Sequence, residues 1–157
     1  FMMKQLYLFL FFSFSLLLCA EKVEITSDTM KAEELNREVR FIGNVTIKQH
    51  SNWIHSDQVI VYFNDQNKTK QYEAIGAVTF EFKQQNRFYK GKADKVTYDP
   101  IHSVYRLRGN ASVDDIVNKR HLKGNHITLD LTSGLAEVQG DKKKPVKFIF
   151  ESEKSKQ

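Results

Sequence analysis

The chain contains little cysteine and little proline, and both shortages restrict its fold. Its single cysteine, Cys19, lies within an N-terminal apolar stretch, so no thiol follows it in the remaining chain. Disulfide bonds therefore cannot stabilise the rest of the protein, even in an oxidising compartment. The only prolines are Pro100 and Pro145, and glycine occupies seven positions. This composition excludes the proline-rich and glycine-rich disordered or fibrous classes.

Sequence motifs of common enzymes and metal proteins are also missing. The chain has no Gly-Xaa-Ser-Xaa-Gly elbow and no glycine-rich phosphate loop. Its histidines follow no metal-binding spacing, and His121 and His126 are expected on opposite faces of one strand. We therefore predict no enzymatic activity, no metal site and no cofactor. The five histidines are His50, His55, His102, His121 and His126.

The first twenty residues have the pattern of a secretory signal. Lys4 precedes an apolar run over residues 6–18, and Ala20 follows this run just before the charged Glu21. A membrane-spanning helix needs about 20 apolar residues, whereas a signal sequence uses about 7–15. We predict that residues 1–20 form a signal peptide that is cleaved on export. The alternative is an uncleaved run that anchors the chain in a membrane.

Positive charge collects near the C-terminus. The chain has 24 Lys and Arg against 19 Asp and Glu, a net charge of +5, and lysines cluster over residues 142–144. Such a cluster suits nucleic acid or an anionic lipid surface as a partner. For residues 152–157 we favour a solvated basic tail, and we expect no nucleic-acid partner. Residues 21–151 suit a single domain with a modest core.

Apolar residues alternate with polar ones from Val23 onward, as in half-buried strands. Turn-forming Asn, Asp, Gly and Pro recur about every ten residues. The pattern predicts an all-β sandwich, jelly roll or barrel. The predicted strands cover residues 23–32, 38–49, 52–63, 70–83, 87–98, 103–113, 120–131, 134–140 and 145–151.

Two short motifs recur in step along these strands. Gly43, Gly76 and Gly109 each open a similar tetrapeptide, and they follow one another at intervals of 33 residues. The second motif lies further upstream of each glycine. It consists of a small residue, then Asp or Asn, then any residue, then an aliphatic residue. We predict four stacked strand pairs, in which Asp or Asn bonds the backbone and glycine bends the strand. The positions with predicted structural roles are Gly43, Gly76, Gly109, Gly140, Asp28, Asp57, Asp94 and Asn125.

The apolar faces of these strands form long, repeated and partly aromatic rows. An ordinary closed core would account for most of them. Their length also predicts an elongated interior, in which an alkyl chain would gain about 0.8 kcal/mol per buried CH₂. The rows contain Val39, Phe41, Val45, Ile47, Val59, Val61, Tyr72, Val78, Phe80, Phe82, Val96, Tyr98, Tyr105, Leu107, Val113, Ile127, Leu129, Val138, Phe148 and Phe150.

Four segments make a resemblance to a known family specific. Residues 24–28 (EITSD), 41–47 (FIGNVTI), 91–98 (GKADKVTY) and 107–111 (LRGNA) resemble the OstA-like family in order and spacing. The resemblance covers about residues 23–150. It implies a twisted β-jellyroll of antiparallel strands, built from repeated strand pairs and open at both ends.

The resemblance also leads us to expect a function. Members of this family carry lipopolysaccharide through the periplasm, with the lipid A acyl chains in the apolar interior. Protomers join head to tail by edge strands, and they join similar domains of inner-membrane and outer-membrane partners. Val23 and Ile25 match the family's inward-facing positions and complete the predicted lipid-binding set. The alternatives are an inner-membrane-anchored relative and, from another class, a β-repeat protein acting on envelope polysaccharide.

Overall fold

The computed structural model describes residues 22–130 and 132–153, so the predicted signal peptide over residues 1–20 lies outside the described part. The described residues form ten strands and no helix, which confirms the all-β class. No described helix is therefore long and apolar enough to cross a membrane. The strands are β1 (Glu24–Thr26), β2 (Thr29–Glu33), β3 (Glu38–Gln49), β4 (Asn52–Phe63), β5 (Thr69–Gln84), β6 (Arg87–Asp99), β7 (Val104–Asp115), β8 (Arg120–Asp130), β9 (Leu135–Gln139) and β10 (Lys147–Phe150).

All ten strands belong to one antiparallel sheet, in which strands that follow each other in sequence also lie side by side. Its order is β1-β3-β4-β5-β6-β7-β8-β10. The short strands β1 and β2 share β3 as their partner, and β9 and β10 share β8. Within the described residues the two ends of this path do not pair with each other, so the sheet stays open.

Short polar side chains build the hairpin turns at one end of the long strands. In the β4–β5 turn the Asn64 side-chain oxygen accepts hydrogen bonds from the backbone N–H groups of Gln66 (2.9 Å) and Lys68 (3.1 Å). Asp99 and Asp130 accept equivalent bonds in the β6–β7 and β8–β9 turns. These bonds satisfy turn N–H groups that no neighbouring strand reaches.

The first predicted strand, over residues 23–32, is in fact two strands. The chain leaves the ladder at Ser27 and Asp28, between β1 and β2, although both strands pair with β3. At this point the Asp28 backbone N–H donates a hydrogen bond to the Gly43 carbonyl (2.9 Å). The interruption follows from a bulge at Gly43 and Asn44, which shifts the register of β3.

Bulges interrupt three of the long strands at the same level. In each, two residues oppose a single residue of the following strand, and both bulged residues are left-handed, with φ of +86° at Gly43 and +48° at Asn44. A bulge bends its strand and increases its twist, so three aligned bulges crease the sheet along a line that crosses the strands. The bulges are residues 43–44, 76–77 and 109–110, opposed by Asp57, Asp94 and Asn125.

The fourth predicted unit departs from the other three. Gly140 follows β9 without a left-handed φ, and it precedes a tight turn in which the Asp141 backbone N–H donates to the Lys144 carbonyl (2.9 Å). A Cβ atom on Gly140 would lie 2.7 Å from the Lys144 carbonyl oxygen and from the Val146 nitrogen. Residues 140–146, here named the lysine turn, therefore stand where the repeat would place a bulge.

The creased sheet folds over its own inner face. Val45, Val78 and Ile127 have no exposed surface, which a flat single sheet would not permit. Residues from both sides of the crease, such as Val61 below it and Val113 above it, belong to one apolar cluster. The core is therefore an elongated interior between the two halves of one sheet, in agreement with the predicted jellyroll.

Candidate functional site

The inner face is organised in ladders, in which inward side chains of successive strands stand opposite one another. The longest, here named the leucine ladder, crosses eight strands with an apolar side chain on every one. At about 4.8 Å between strands, this line is roughly 34 Å long. It therefore reaches from one edge of the sheet to the other. Its members are Met30, Phe41, Val59, Ala74, Val96, Leu107, Ile127 and Val138.

A second line, the tyrosine ladder, runs beside the first and carries three stacked rings. The ring centroids of Tyr72 and Tyr98 are 6.1 Å apart, and those of Tyr98 and Tyr105 are 4.2 Å apart. Burial raises the pKa of Tyr105 well above its ordinary value and also raises that of Tyr98, so both phenols stay uncharged near neutral pH. The ladder consists of Val39, Val61, Tyr72, Tyr98, Tyr105 and Leu129.

The phenylalanine ladder lies on the other side of the crease. Its Phe80 ring lies directly over Gly91, so close that a Cβ atom there would collide with the ring. Gly91 thus provides the space for an aromatic ring rather than an unusual backbone conformation. The ladder consists of Ile25, Ile47, Ile54, Phe80, Gly91, Val113, Leu122 and Phe148.

The structure brings most of the predicted interior residues together. Eight are buried in the apolar cluster: Val45, Val59, Val61, Val78, Val96, Leu107, Val113 and Ile127. Eight more are partly buried against it: Ile25, Phe41, Ile47, Tyr72, Phe80, Tyr105, Leu129 and Val138. Val39, Phe82 and Tyr98 are also partly buried, whereas Val23, Phe148 and Phe150 are exposed at the two edges of the sheet.

Sequence reasoning missed several inward residues, among them Ile54, Tyr89 and Leu122, which pack against the core, and Ala93, which is buried in it. In β8, for example, the inward positions are Leu122 and Ile127, so the alternation changes phase within the strand. His121 and His126 consequently both face outward, and the prediction of opposite faces is wrong. The signal that would have located the change is the Asp or Asn of the repeat, because Asp57, Asp94 and Asn125 each oppose a bulge of the preceding strand.

The outer face carries most of the charged side chains. Lys95 Nζ lies 3.0 Å from Glu73 Oε1, and Lys90 Nζ lies 3.4 Å from Glu81 Oε1. The Trp53 indole N–H donates a hydrogen bond to Glu81 (3.2 Å). The three ladders contain no charged side chain, and the ion pair between Asp115 and Arg120 (2.9 Å) lies beyond them at one end of the inner face, beside Tyr89. Among the described residues, no three His, Cys, Asp or Glu side chains are grouped so as to hold a metal ion.

The predicted structural residues form a row along the crease. Asn44 donates a hydrogen bond to Asp28 (3.1 Å), and Asn110 donates one to Asp94 (3.2 Å). In each of the first three units the carboxylate also lies over the bulge glycine, where a Cβ atom would contact it; at Gly76 the distance to Asp57 Oδ2 would be 2.5 Å. The acid and the glycine are therefore packed against each other at each of these bulges.

The arrangement can be compared with known proteins. The model of the family described as "LptA/(LptD N-terminal domain) LPS transport protein" matches residues 24–135. The chain is also similar to the crystal structure of LptH, the LptA-homologous periplasmic component of the lipopolysaccharide transport device from Pseudomonas aeruginosa. That similarity has a TM-score of 0.74 at 12% sequence identity and covers 84% of this chain and 96% of LptH. No curated protein matches the chain significantly by sequence.

Proposed function

Because the chain belongs to the LptA/LptD N-terminal domain family of lipopolysaccharide transport proteins, we propose that it carries lipopolysaccharide across the periplasm. In this proposal the lipid A acyl chains lie along the apolar ladders. Sugars and phosphates stay outside the interior, since the described inner face has no charged residue in its three ladders. The observation that carries the proposal is the leucine ladder, an unbroken apolar line across the whole sheet.

The packed state of the interior adds a requirement to this proposal. Leu107 is 1% exposed and Ile127 is 0% exposed, so an acyl chain reaches them only when the two halves of the sheet part. We expect the parting to occur by bending at the bulges, where three strands already bend. The half-buried rings of Phe41, Phe80 and Tyr105 would be the first interior groups that a lipid meets.

The two edges of the sheet are the sites through which the protein would pair with other copies and partners to form a bridge. β2 and β10 are exposed along their whole lengths, and each has one edge without a partner strand in the described chain. Unpaired edges add further strands readily. We therefore include head-to-tail pairing, with other copies and with similar domains of inner-membrane and outer-membrane partners, in the proposed function.

The proposed location is the periplasm, reached by cleavage of the signal peptide at residues 1–20. LptH, which shares the fold, is a periplasmic component of such a machinery. N-terminal sequencing of the exported protein tests this point, and retention of residues 6–18 would show a membrane-anchored form.

Photo-crosslinking in a lipopolysaccharide-producing cell tests the lipid path. A photoreactive residue placed at Phe41, Phe80 or Tyr105 should capture lipopolysaccharide, because these side chains face the interior. The adjacent residues Arg40 and Glu81 provide matched controls on the outer face of the same strands.

The comparison within each strand separates lipid binding from general proximity. Capture at Phe80 with at least tenfold less capture at Glu81 supports an interior path. Equal capture at both positions would contradict it, because neighbouring residues differ only in the face they occupy.

A further inference from the structure

The apolar ladders stop abruptly at both edges of the sheet. Met30, the last member of the leucine ladder on β2, is 61% exposed, and Phe148, the last member of the phenylalanine ladder on β10, is 53% exposed. Inside the sheet the same ladders are buried by neighbours on both sides. An adjoining sheet edge would give these terminal side chains the cover that they lack.

We propose that the lysine turn of one copy contacts Asp28 of the next copy. This proposal rests on the head-to-tail pairing included in the proposed function. This contact fixes the register in which the ladders of the two copies join. The partner is a second copy of this chain, bound through its β1 and β2 edge.

Continuity of the ladders selects the register. If the leucine ladder continues, Val138 of one copy stands beside Met30 of the next; if the phenylalanine ladder continues, Phe148 stands beside Ile25. The lysine turn lies between the first members of these two pairs. Asp28 lies between the second members, so both ladders and the charged groups align in one register.

The strand directions agree with this junction. β9 and β10 both run antiparallel to β8, and β1 and β2 both run antiparallel to β3. Because β3 and β8 are separated by five antiparallel steps, they run in opposite directions. The β9 and β10 edge therefore meets the β1 and β2 edge in antiparallel fashion, like every other neighbour in the sheet.

The repeat also continues across the junction. Within the chain, Asp57 opposes the bulge of the preceding strand and lies over Gly76 of the following one. Asp28 lies over Gly43 but has no preceding strand in the described chain. The lysine turn begins at Gly140, where the repeat would place a bulge. A second copy would thus place a preceding strand beside Asp28, as the chain itself does for Asp57.

Charge complementarity strengthens the match. The carboxylate of Asp28 is exposed, and the side chains of Lys142 and Lys143 are exposed in the lysine turn with no carboxylate partner among the described residues. The third lysine already reaches a neighbouring bulge within one chain, since Lys144 Nζ donates to the Asn110 side-chain oxygen (3.0 Å), and the Asn110 amide group donates to Asp94. A shifted register would move these ammonium groups away from the Asp28 carboxylate, to Ser27 or Thr29 on one side and towards Lys31 on the other, and would lose the attraction.

A charge-swap experiment on the mature chain tests the contact. The double variant Lys142→Asp/Lys143→Asp should self-associate about tenfold more weakly in sedimentation equilibrium at low salt, because it sets carboxylates against Asp28. Asp28→Lys should weaken self-association similarly. Mixing the two variants should restore pairing between them. The control Lys68→Asp/Lys70→Asp makes the same charge change at a turn remote from both edges and should leave association unchanged.

Disulfide trapping tests the register independently. Since no cysteine follows Cys19, Met30→Cys mixed with Val138→Cys should give crosslinked dimers on mild oxidation. Lys31→Cys, one residue out of register, should give few. Wild-type association with no effect of either charge variant, or equal trapping at Met30 and Lys31, overturns the inference.

Failure of the inference and failure of the proposed function are distinguishable. The Lys142→Asp/Lys143→Asp variant keeps its interior, so it should still capture lipopolysaccharide through a photoreactive group at Phe80. A mature wild-type chain that stays monomeric in sedimentation equilibrium also overturns the inference, whereas loss of lipid capture in the wild type overturns the proposed function.

Discussion

Central strands β3 to β8 and edge strands β2 and β10 carry the same inward ladders under different conditions. Leu107, in β7, is covered by side chains of the strands on both sides and by the opposite half of the sheet. Phe148, in β10, has one neighbouring strand and remains half exposed, stacked on Phe150 at 5.3 Å. An inward position alone therefore does not bury a residue in this fold. A neighbour on each side is also needed.

This difference separates two roles of apolar residues in the chain. In the centre they hold the two halves of the sheet together, so their removal affects folding. At the edges they contribute little to the isolated chain and are free to contribute to assembly. The stability of the monomer and the strength of its self-association should therefore respond to different substitutions.

The largest difference in stability is expected between truncation of a central side chain and truncation of an edge side chain. Leu107→Ala should lower the free energy of unfolding by about 3 kcal/mol, because it leaves a cavity in the core. Phe148→Ala should lower it by less than about 1 kcal/mol, since half of that ring already contacts water. Urea unfolding at a concentration where the protein is monomeric measures both. Equal losses would mean that the edge is as well packed as the centre.

A smaller effect is expected from two glycines that share a left-handed φ. Gly109, at a central bulge, has φ of +80° and lies against the Asp94 carboxylate, whereas Gly134, in the edge turn between β8 and β9, has φ of +72° and open space around it. Gly134→Ala should cost about 1 kcal/mol of stability, the strain of the backbone alone. Gly109→Ala should cost about 2–3 kcal/mol, because the added methyl group also displaces Asp94.

The Gly109 and Gly134 comparison has its own internal check. In an Asp94→Gly background both the carboxylate and the residue-94 Cβ atom, which would lie 3.0 Å from the added methyl group, are gone, so the extra cost of Gly109→Ala should fall to the value found at Gly134. An unchanged cost would show that the strain at the bulge is purely that of the backbone. Thermal unfolding of the four variants supplies the measurement.

Sequence alone predicted much of the central sheet, and the reason is physical. Period-two alternation reports burial of one strand face, so it located β3 to β8 within one or two residues at their ends. The regularly spaced glycines Gly43, Gly76 and Gly109 each lie at a bulge, so their spacing follows the repeat of the sheet. Both signals are local, and a local signal survives wherever the sheet is regular.

The sequence could not predict features that depend on contacts between strands. The phase change in β4, β6 and β8 arises because Asp57, Asp94 and Asn125 each oppose a two-residue bulge on another strand. Alternation followed through such a point assigns the wrong face, which is why Ile54 was missed. The lysine turn was likewise hidden, since its compact form depends on hydrogen bonds from the backbone to Asp141. Lipid contact at the predicted interior residues stays a prediction.

The smallest effect on stability is expected at the second residue of the bulges in the central strands. Two of the three bulges place Asn at the second left-handed position, but the middle bulge has Ala77, with φ of +45°. Asn tolerates this conformation better than alanine. An Asn there would also have the Asp57 carboxylate nearby, as Asn44 has Asp28 at 3.1 Å. Ala77→Asn should therefore stabilise the chain by about 0.5–1.5 kcal/mol, with a higher urea midpoint and an unchanged slope.

The reverse change at the first bulge completes the Ala77 prediction. Asn44→Ala removes the bond to Asp28 and places alanine at φ of +48°, so it should destabilise the chain by a similar amount. Opposite and nearly equal changes would show that the first and middle bulges are energetically equivalent. If Ala77→Asn has no effect while Asn44→Ala destabilises, the bond at Asn44 depends on its place beside the edge, where β1 and β2 separate. The bulge would then serve to shape the edge that pairs with the next copy, and not only to crease the sheet.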